Sequence, residues 1–231
     1  MRPTEKEIRI AESIIDYVDG FNFKYLLDVA KRKCKYDEYL REKGLYYEWD
    51  EVRVYLQAGA TKACLICDEL ENWVIKFPIT RNDGLNFCKI EAENYAAAKE
   101  AGLEEFFAET YYIGEYKGYS FSLQEKVRPD EDGFEDILYD YARDIVDEDY
   151  MYVINREDDE ERYRSDCIRE YVEEMNDEQI IEIIFSGISF EDYDKLIDFI
   201  GVHGINDLHT GNYGFRKDNT PVIIDFGGYS K

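Results

Sequence analysis

The chain has 231 residues, of which 45% are hydrophobic, 21 are tyrosine and 13 are phenylalanine. This length and composition can bury a core, which excludes a disordered tail and is typical of one or two small domains. The 53 acidic and 28 basic residues leave a formal charge of −25. So acidic a protein is a poor candidate for holding nucleic acid or an anionic membrane through a broad positive patch.

The sequence also indicates where the protein is located in the cell. No apolar run approaches the roughly 18–20 residues of a membrane-spanning helix, and the N-terminal segment lacks the pattern of a secretory signal. The five cysteines are an odd number at no framework spacing, which favours reduced thiols. Cys64 and Cys67 lie in an apolar run typical of a strand, where residues three apart point to opposite faces, so we do not assign them to a metal or redox site. We therefore expect a cytoplasmic protein.

Residues 1–50 are predicted to be a helical N-terminal extension. Ile8, Ile14 and Ile15 recur near helical spacing, and a second helical stretch follows over residues 23–40. The region contains no motif with chemical function.

Residues 51–127 predict an antiparallel sheet with one helix. Five short β-rich runs are separated by loops and turns, including a small-residue loop over 57–62. The helix begins at Asn86 and ends before Gly102, between the third and fourth runs. The runs are residues 52–56, 63–67, 73–77, 108–113 and 119–125.

Residues 128–231 predict a mainly helical unit. Residues 128–200 contain 26 acidic and 7 basic residues, yet apolar residues still recur at helical spacing, so we expect helices with a charged outer face. Ser189 and Asp192 form a capping box at the start of a helix that ends at Gly204. Two short β-type runs follow near the C-terminus.

Polar residues near the C-terminus suit phosphoryl transfer. That reaction uses Mg²⁺ between phosphates, oxygen ligands to hold the ion, and a carboxylate beside the attacking hydroxyl. Asp225 follows an apolar strand at a sharp turn, Asn212 offers an amide oxygen, and Asp207 precedes both. We predict Asn212 and Asp225 as Mg²⁺ ligands and Asp207 as the catalytic base.

These segments resemble the catalytic loop and Asp-Phe-Gly turn of the protein kinase superfamily. Asp207 and Asn212 are five residues apart, and Asp225 follows Asn212 by 13. The order Asp-Leu-His-x-Gly-Asn is also similar to aminoglycoside and choline kinases. The resemblance implies an α+β, two-lobed fold with an N-lobe sheet (51–127), a truncated helical C-lobe (128–231), and ATP and Mg²⁺ as ligands. His209 replaces a family lysine and either contacts the γ-phosphate as a catalytic residue or orients the loop.

The N-terminal half resembles the same family in the expected order. Lys76, in Val-Ile-Lys-Phe, is similar to the lysine that pairs the α- and β-phosphates. Two helix residues compete to align it. Glu91 shares the apolar stripe of its helix, so we favour it over Glu93.

The resemblance also implies the remaining nucleotide contacts. Residues 57–62 are similar to the phosphate-covering loop. Gly59 is the one of its three glycines that remains, and the backbone amides of Ala60 and Thr61 could approach phosphate. By position, the backbone of Glu125 and Val127 resembles the hinge that meets the adenine edge.

Other positions differ from the family pattern. Ile205 and Asn206 stand where the family has His-Arg, so activation gated by phosphate is not expected. The chain ends six residues after Asp225, without an activation segment, and so resembles the short kinase-like effectors that bacteria deliver into host cells. We expect a phosphotransferase acting on a hydroxyl of a protein or small molecule. The alternatives are a pseudokinase that signals by binding nucleotide, and an acidic interaction protein on a kinase-like frame. The first two require Lys76 and the three polar C-terminal side chains to converge on one cleft.

Overall fold

The computed structural model describes residues 2–20, 54–58, 62–67, 69–78, 86–116, 119–150, 160–206 and 208–227. The chain is an α+β protein, and both sheets formed by these residues are antiparallel. It divides into two compact units, Met1–Lys126 and Val127–Lys231. None of the helices in these ranges is long and apolar enough to cross a membrane.

The first unit is built on a five-stranded sheet. Its strands are β1 (Val54–Ala58), β2 (Lys62–Cys67), β3 (Trp73–Pro78), β4 (Thr110–Tyr116) and β5 (Tyr119–Glu125). They pair in the order β1-β2-β3-β5-β4. The ladder of β4 with β5 shifts between Tyr112 and Gly114, and Gly114 adopts a φ of 151° that favours glycine.

The loop between β1 and β2 is shorter than the sequence predicted. Backbone pairing of β1 with β2 continues to Ala58 opposite Ala63. Lys62 pairs with Pro78 of β3. Because the ladders satisfy their backbone groups, Gln57, Ala58 and Lys62 belong to strands and not to the loop.

Helix α1 (Glu5–Gly20) packs on this sheet. Thr4 and Glu7 form a capping box, in which the Glu7 N–H donates to Thr4 Oγ1 over 3.2 Å and the Thr4 N–H donates to Glu7 Oε2 over 2.7 Å. Glu7 Oε1 also accepts a hydrogen bond from Trp73 Nε1 over 3.0 Å, which ties α1 to β3. The second predicted helical stretch, over 23–40, lies outside the described residues. The shared core includes Ala11, Ile14, Ile15, Leu65, Cys67, Trp73, Ile75, Phe77 and Leu123.

Helix α2 (Phe87–Ala101) connects β3 to β4 and is followed by a short 3₁₀ helix, Glu104–Phe106. The Asn86 side chain caps α2 by accepting from the Lys89 N–H over 3.1 Å. Gly102 ends it in the left-handed conformation, with a φ of 74°. Both ends agree with the local sequence signals.

The second unit combines helices with a small sheet. Its helices are α3 (Glu131–Tyr150), α4 (Glu160–Glu173), α5 (Asp177–Ile184) and α6 (Phe190–His203). Its strands are β6 (Arg128–Pro129), β7 (Tyr213–Phe215) and β8 (Pro221–Ile223). Phe134 of α3 stacks on Phe215 of β7 with ring centroids 4.2 Å apart, which packs the sheet against α3. Ser189 caps α6 as predicted, accepting from the Asp192 N–H over 3.1 Å.

Candidate functional site

Lys76 of β3 and Glu91 of α2 form a buried ion pair. Lys76 Nζ lies 3.1 Å from each carboxylate oxygen of Glu91. Lys76 is 4% exposed and Glu91 has no exposed surface. Because a buried ammonium is strongly disfavoured without an anionic partner, Glu91 determines where the amine of Lys76 lies.

Glu93 occupies the opposite environment. Its carboxylate is exposed and lies 3.7 Å from Nζ of the exposed Lys89. Phe87, Glu91 and Tyr95, which are four residues apart in turn, are all buried. The partner of Lys76 is therefore the glutamate on the apolar stripe of the helix.

A second lysine, predicted from the sequence to lie in a loop, reaches the same carboxylate. Lys62 begins β2, is 5% exposed, and places Nζ 2.7 Å from Glu91 Oε1. Cys64 pairs with Lys76 across the β2–β3 ladder. Since Lys62 precedes Cys64 by two residues, both lysines lie on one face of the sheet. Strand alternation extended back to Lys62 would have placed it on the face of Cys64, but its proximity to Lys76 depends on sheet register.

A buried hydroxyl lies on the same face. Ser122 of β5 pairs with Lys76 in register. Its Oγ is buried and, within the described part of the chain, makes no hydrogen bond. An unsatisfied buried hydroxyl costs about 1–3 kcal/mol, so a polar ligand atom placed here would be stabilised.

Cys88 of α2 lies beside these charges. Burial, with a smaller contribution from the negative charge of Glu91, raises the pKa of the Cys88 thiol to about 12. An ordinary thiol of this kind ionises near 9.0. Between these two pH values unfolding releases a proton, so this group makes the free energy of unfolding fall as the pH rises through that window.

We therefore expect Cys88 to resist iodoacetamide in the native protein at mildly alkaline pH, because the thiolate is the reactive form. Mass spectrometry of alkylated peptides measures this, with protein in concentrated guanidinium chloride as the fully reactive control. Equal labelling rates of Cys88 in native and unfolded protein would contradict its burial.

In the second unit, the loop before β7 is held by its own hydrogen bonds. His209 Nδ1 accepts from the Gly211 N–H over 3.1 Å, at the start of the 3₁₀ helix Thr210–Asn212. This bond orients the loop and leaves the proton of a neutral imidazole on Nε2. The Leu208 N–H donates to Asp177 Oδ1 over 3.3 Å, which anchors the loop to α5. Asp207 lies outside the described residues.

Backbone pairing brings Asn212 and Asp225, the two predicted metal ligands, close together. The Asn212 carbonyl accepts from the Ile224 N–H over 2.8 Å, which extends the β7–β8 ladder by one step. Asp225 is the next residue and is half-buried. Amide and carboxylate oxygens are the donors that Mg²⁺ prefers, so these two residue types suit that ion. No group of three or more His, Cys, Asp or Glu side chains that could hold a metal ion occurs among the described residues.

The segment predicted as the hinge lies at the boundary between the units. Glu125 ends β5 in the first unit, and its N–H donates to the Glu109 carbonyl over 2.7 Å. Val127 is half-buried and begins the second unit. Gly59, Ala60 and Thr61 lie outside the described residues.

A groove of about 500 Å³ in the second unit contains none of the predicted site residues in its lining. Ile137, Tyr141, Phe185 and Phe190 are among the side chains that line it. Its position gives no reason to extend the candidate site.

The described site residues are thus divided between the units. Lys76 and Glu91 belong to the first, and His209, Asn212 and Asp225 belong to the second. Their convergence on one cleft stays a prediction. Comparisons with models of protein families, with curated proteins and with solved structures found no match.

Proposed function

We propose that the chain is an ATP- and Mg²⁺-dependent phosphotransferase with a protein-kinase-like, two-lobed fold. It moves the γ-phosphate of ATP to a hydroxyl group of a protein or small molecule. Support comes from the five-stranded sheet with one helix between β3 and β4, and from the boundary between the units at Lys126, next to the predicted hinge.

The observation that carries the proposal is the buried ion pair of Lys76 with Glu91. An ammonium held at one position by a helix carboxylate is suited to binding phosphate, because it needs no rearrangement when the anion arrives. The exposed pair of Lys89 and Glu93, on the same helix, has no such burial.

The polar residues of the second unit supply the rest of the chemistry. Asn212 and Asp225 would hold Mg²⁺, which neutralises charge on the phosphates when bound. Asp207 accepts the proton of the acceptor hydroxyl while the oxygen of that hydroxyl forms the new bond to phosphorus. The bond from that phosphorus to the bridging oxygen breaks, and ADP leaves. His209 is oriented by its bond to the Gly211 N–H, with Nε2 as the nitrogen able to donate to phosphate.

Radiolabelled ATP tests this proposal. We expect the wild-type protein to hydrolyse ATP or to label itself, and Asp207→Asn to lose about 10²–10⁴-fold of that rate, because the amide cannot accept the proton. Asp194→Asn, at an exposed position of α6, is the matched control and should keep the rate.

The outcomes of this assay separate the proposed enzyme from the other function classes. Nucleotide binding without turnover in wild-type protein would favour the pseudokinase alternative. Absence of both would leave an acidic interaction protein.

A further inference from the structure

Two buried ammonium groups share one carboxylate oxygen in the first unit. Lys62 Nζ lies 2.7 Å from Glu91 Oε1, and Lys76 Nζ lies 3.1 Å from the same oxygen. Both lysine side chains are almost completely buried. Like charges this close repel each other strongly when water is excluded. Glu91 lowers that repulsion because it contacts both ammonium groups, and a bound anion beside them would lower it further.

The lysines belong to a polar row that crosses three neighbouring strands. Cys64 of β2 pairs with Lys76 of β3, and Lys76 pairs with Ser122 of β5. Lys62 lies one step along β2 on the same face. The row therefore presents two cations and one hydroxyl side by side.

The Ser122 hydroxyl is an independent indication of a ligand. Ser122 has no exposed surface, and among the described residues its Oγ has no hydrogen-bond partner. A phosphate oxygen is a strong acceptor for such a group. The position of Lys62 in the sequence agrees with this, because it directly follows Gly59, Ala60 and Thr61, the loop residues predicted to contact phosphate.

We infer that Lys62 is a second phosphate-binding lysine, which forms with Lys76 and Ser122 a site for a polyphosphate chain. This inference rests on the proposed function, in which that chain is the triphosphate of ATP. Two ammonium groups on one face suit consecutive phosphates, each with its own negative charge. An uncharged nucleoside has no use for the second cation.

Titration calorimetry with ATP and with adenosine tests the inference. Lys62→Met is expected to weaken ATP binding by about 10- to 100-fold, the effect of losing one hydrogen bond to a charged group. Adenosine binding is expected to stay unchanged, because it lacks phosphates. A structural defect would weaken both ligands alike. The matched control is Lys89→Met, at an exposed position of α2, which should bind both ligands as the wild type does.

A second measurement uses the wild-type protein and so does not depend on the folding of a variant. An acyl-phosphate derivative of ATP transfers its acyl group to an amine beside the phosphates, since the amine attacks the acyl carbon as the acyl–oxygen bond breaks. Mass spectrometry is expected to find the acyl group on Lys62 as well as on Lys76, and not on Lys89.

The outcomes separate this inference from the proposed function. If wild-type protein binds ATP but Lys62→Met binds it equally well, or if only Lys76 is acylated, the role of Lys62 is overturned and the phosphotransferase proposal stands. If wild-type protein binds neither ATP nor adenosine, the proposed function fails and this inference fails with it.

Discussion

Replacing Glu91 with alanine is expected to lower the free energy of unfolding by about 3–5 kcal/mol, as for other buried ion pairs that lose one partner. Lys62 and Lys76 would both lose the carboxylate that they share inside the protein. Their positive charges would then face each other at short range without it. Urea denaturation followed by circular dichroism measures the change.

Two further variants identify the cause of that loss. Glu91→Gln keeps the volume of the side chain and removes its charge. It should therefore lower the free energy of unfolding by most of the amount expected for Glu91→Ala. Glu93→Ala, on the exposed face of the same helix, should change the free energy of unfolding by no more than about 0.5 kcal/mol. Equal effects of Glu91→Ala and Glu93→Ala would show that the buried cluster does not exist.

Asp225→Ala is expected to abolish the binding of magnesium and ATP together. The substitution removes the charged oxygen donor beside Asn212, and Asn212 alone offers Mg²⁺ a neutral amide. At a nucleotide concentration of about 100 Kd, wild-type protein should gain about 2.7 kcal/mol of stability. The variant should gain none, which thermal denaturation with and without Mg²⁺-ATP can measure.

The control for this experiment is Asp198→Ala, which removes an exposed carboxylate from α6. It changes the net charge equally and should keep the full nucleotide-induced stabilisation. If Asp225→Ala were stabilised by nucleotide as much as Asp198→Ala, the assignment of Asp225 as a metal ligand would be refuted.

The two results answer different questions. The effect of Glu91→Ala depends on contacts inside the first unit and needs no ligand, so it tests the ion cluster itself. The effect of Asp225→Ala depends on a ligand and tests the function. If the ion cluster is stable but the protein binds no nucleotide, the fold of the first unit is supported and the proposed phosphotransferase activity is refuted.

Where the signals are local, the sequence alone predicted elements that the structure describes in the first unit. Helix α2 lies between Asn86 and Gly102 as predicted, because an asparagine cap and a left-handed glycine act within a few residues of the helix ends. The face of Glu91 followed from the spacing of Phe87 and Tyr95, since helix periodicity repeats within two turns.

The role of Lys62 was missed because it depends on pairing between strands. Because Lys62 was predicted to lie in a loop, it was not assigned to either face of the sheet. The β2–β3 ladder places it beside Lys76. Ser122 likewise became part of the row only through its register with Lys76. Register depends on the whole sheet, and a shift of one residue would have turned these side chains to the other face.

By itself, then, the sequence determined the types of secondary structure, the inward face of α2 and the residue types suited to phosphoryl transfer, because these depend on neighbours close in the chain. The tertiary structure alone decided that two lysines meet one carboxylate, since Lys62, Lys76 and Glu91 come from three elements separated by up to 29 residues. Contacts over such separations are determined by sheet register and helix packing, which no local pattern encodes.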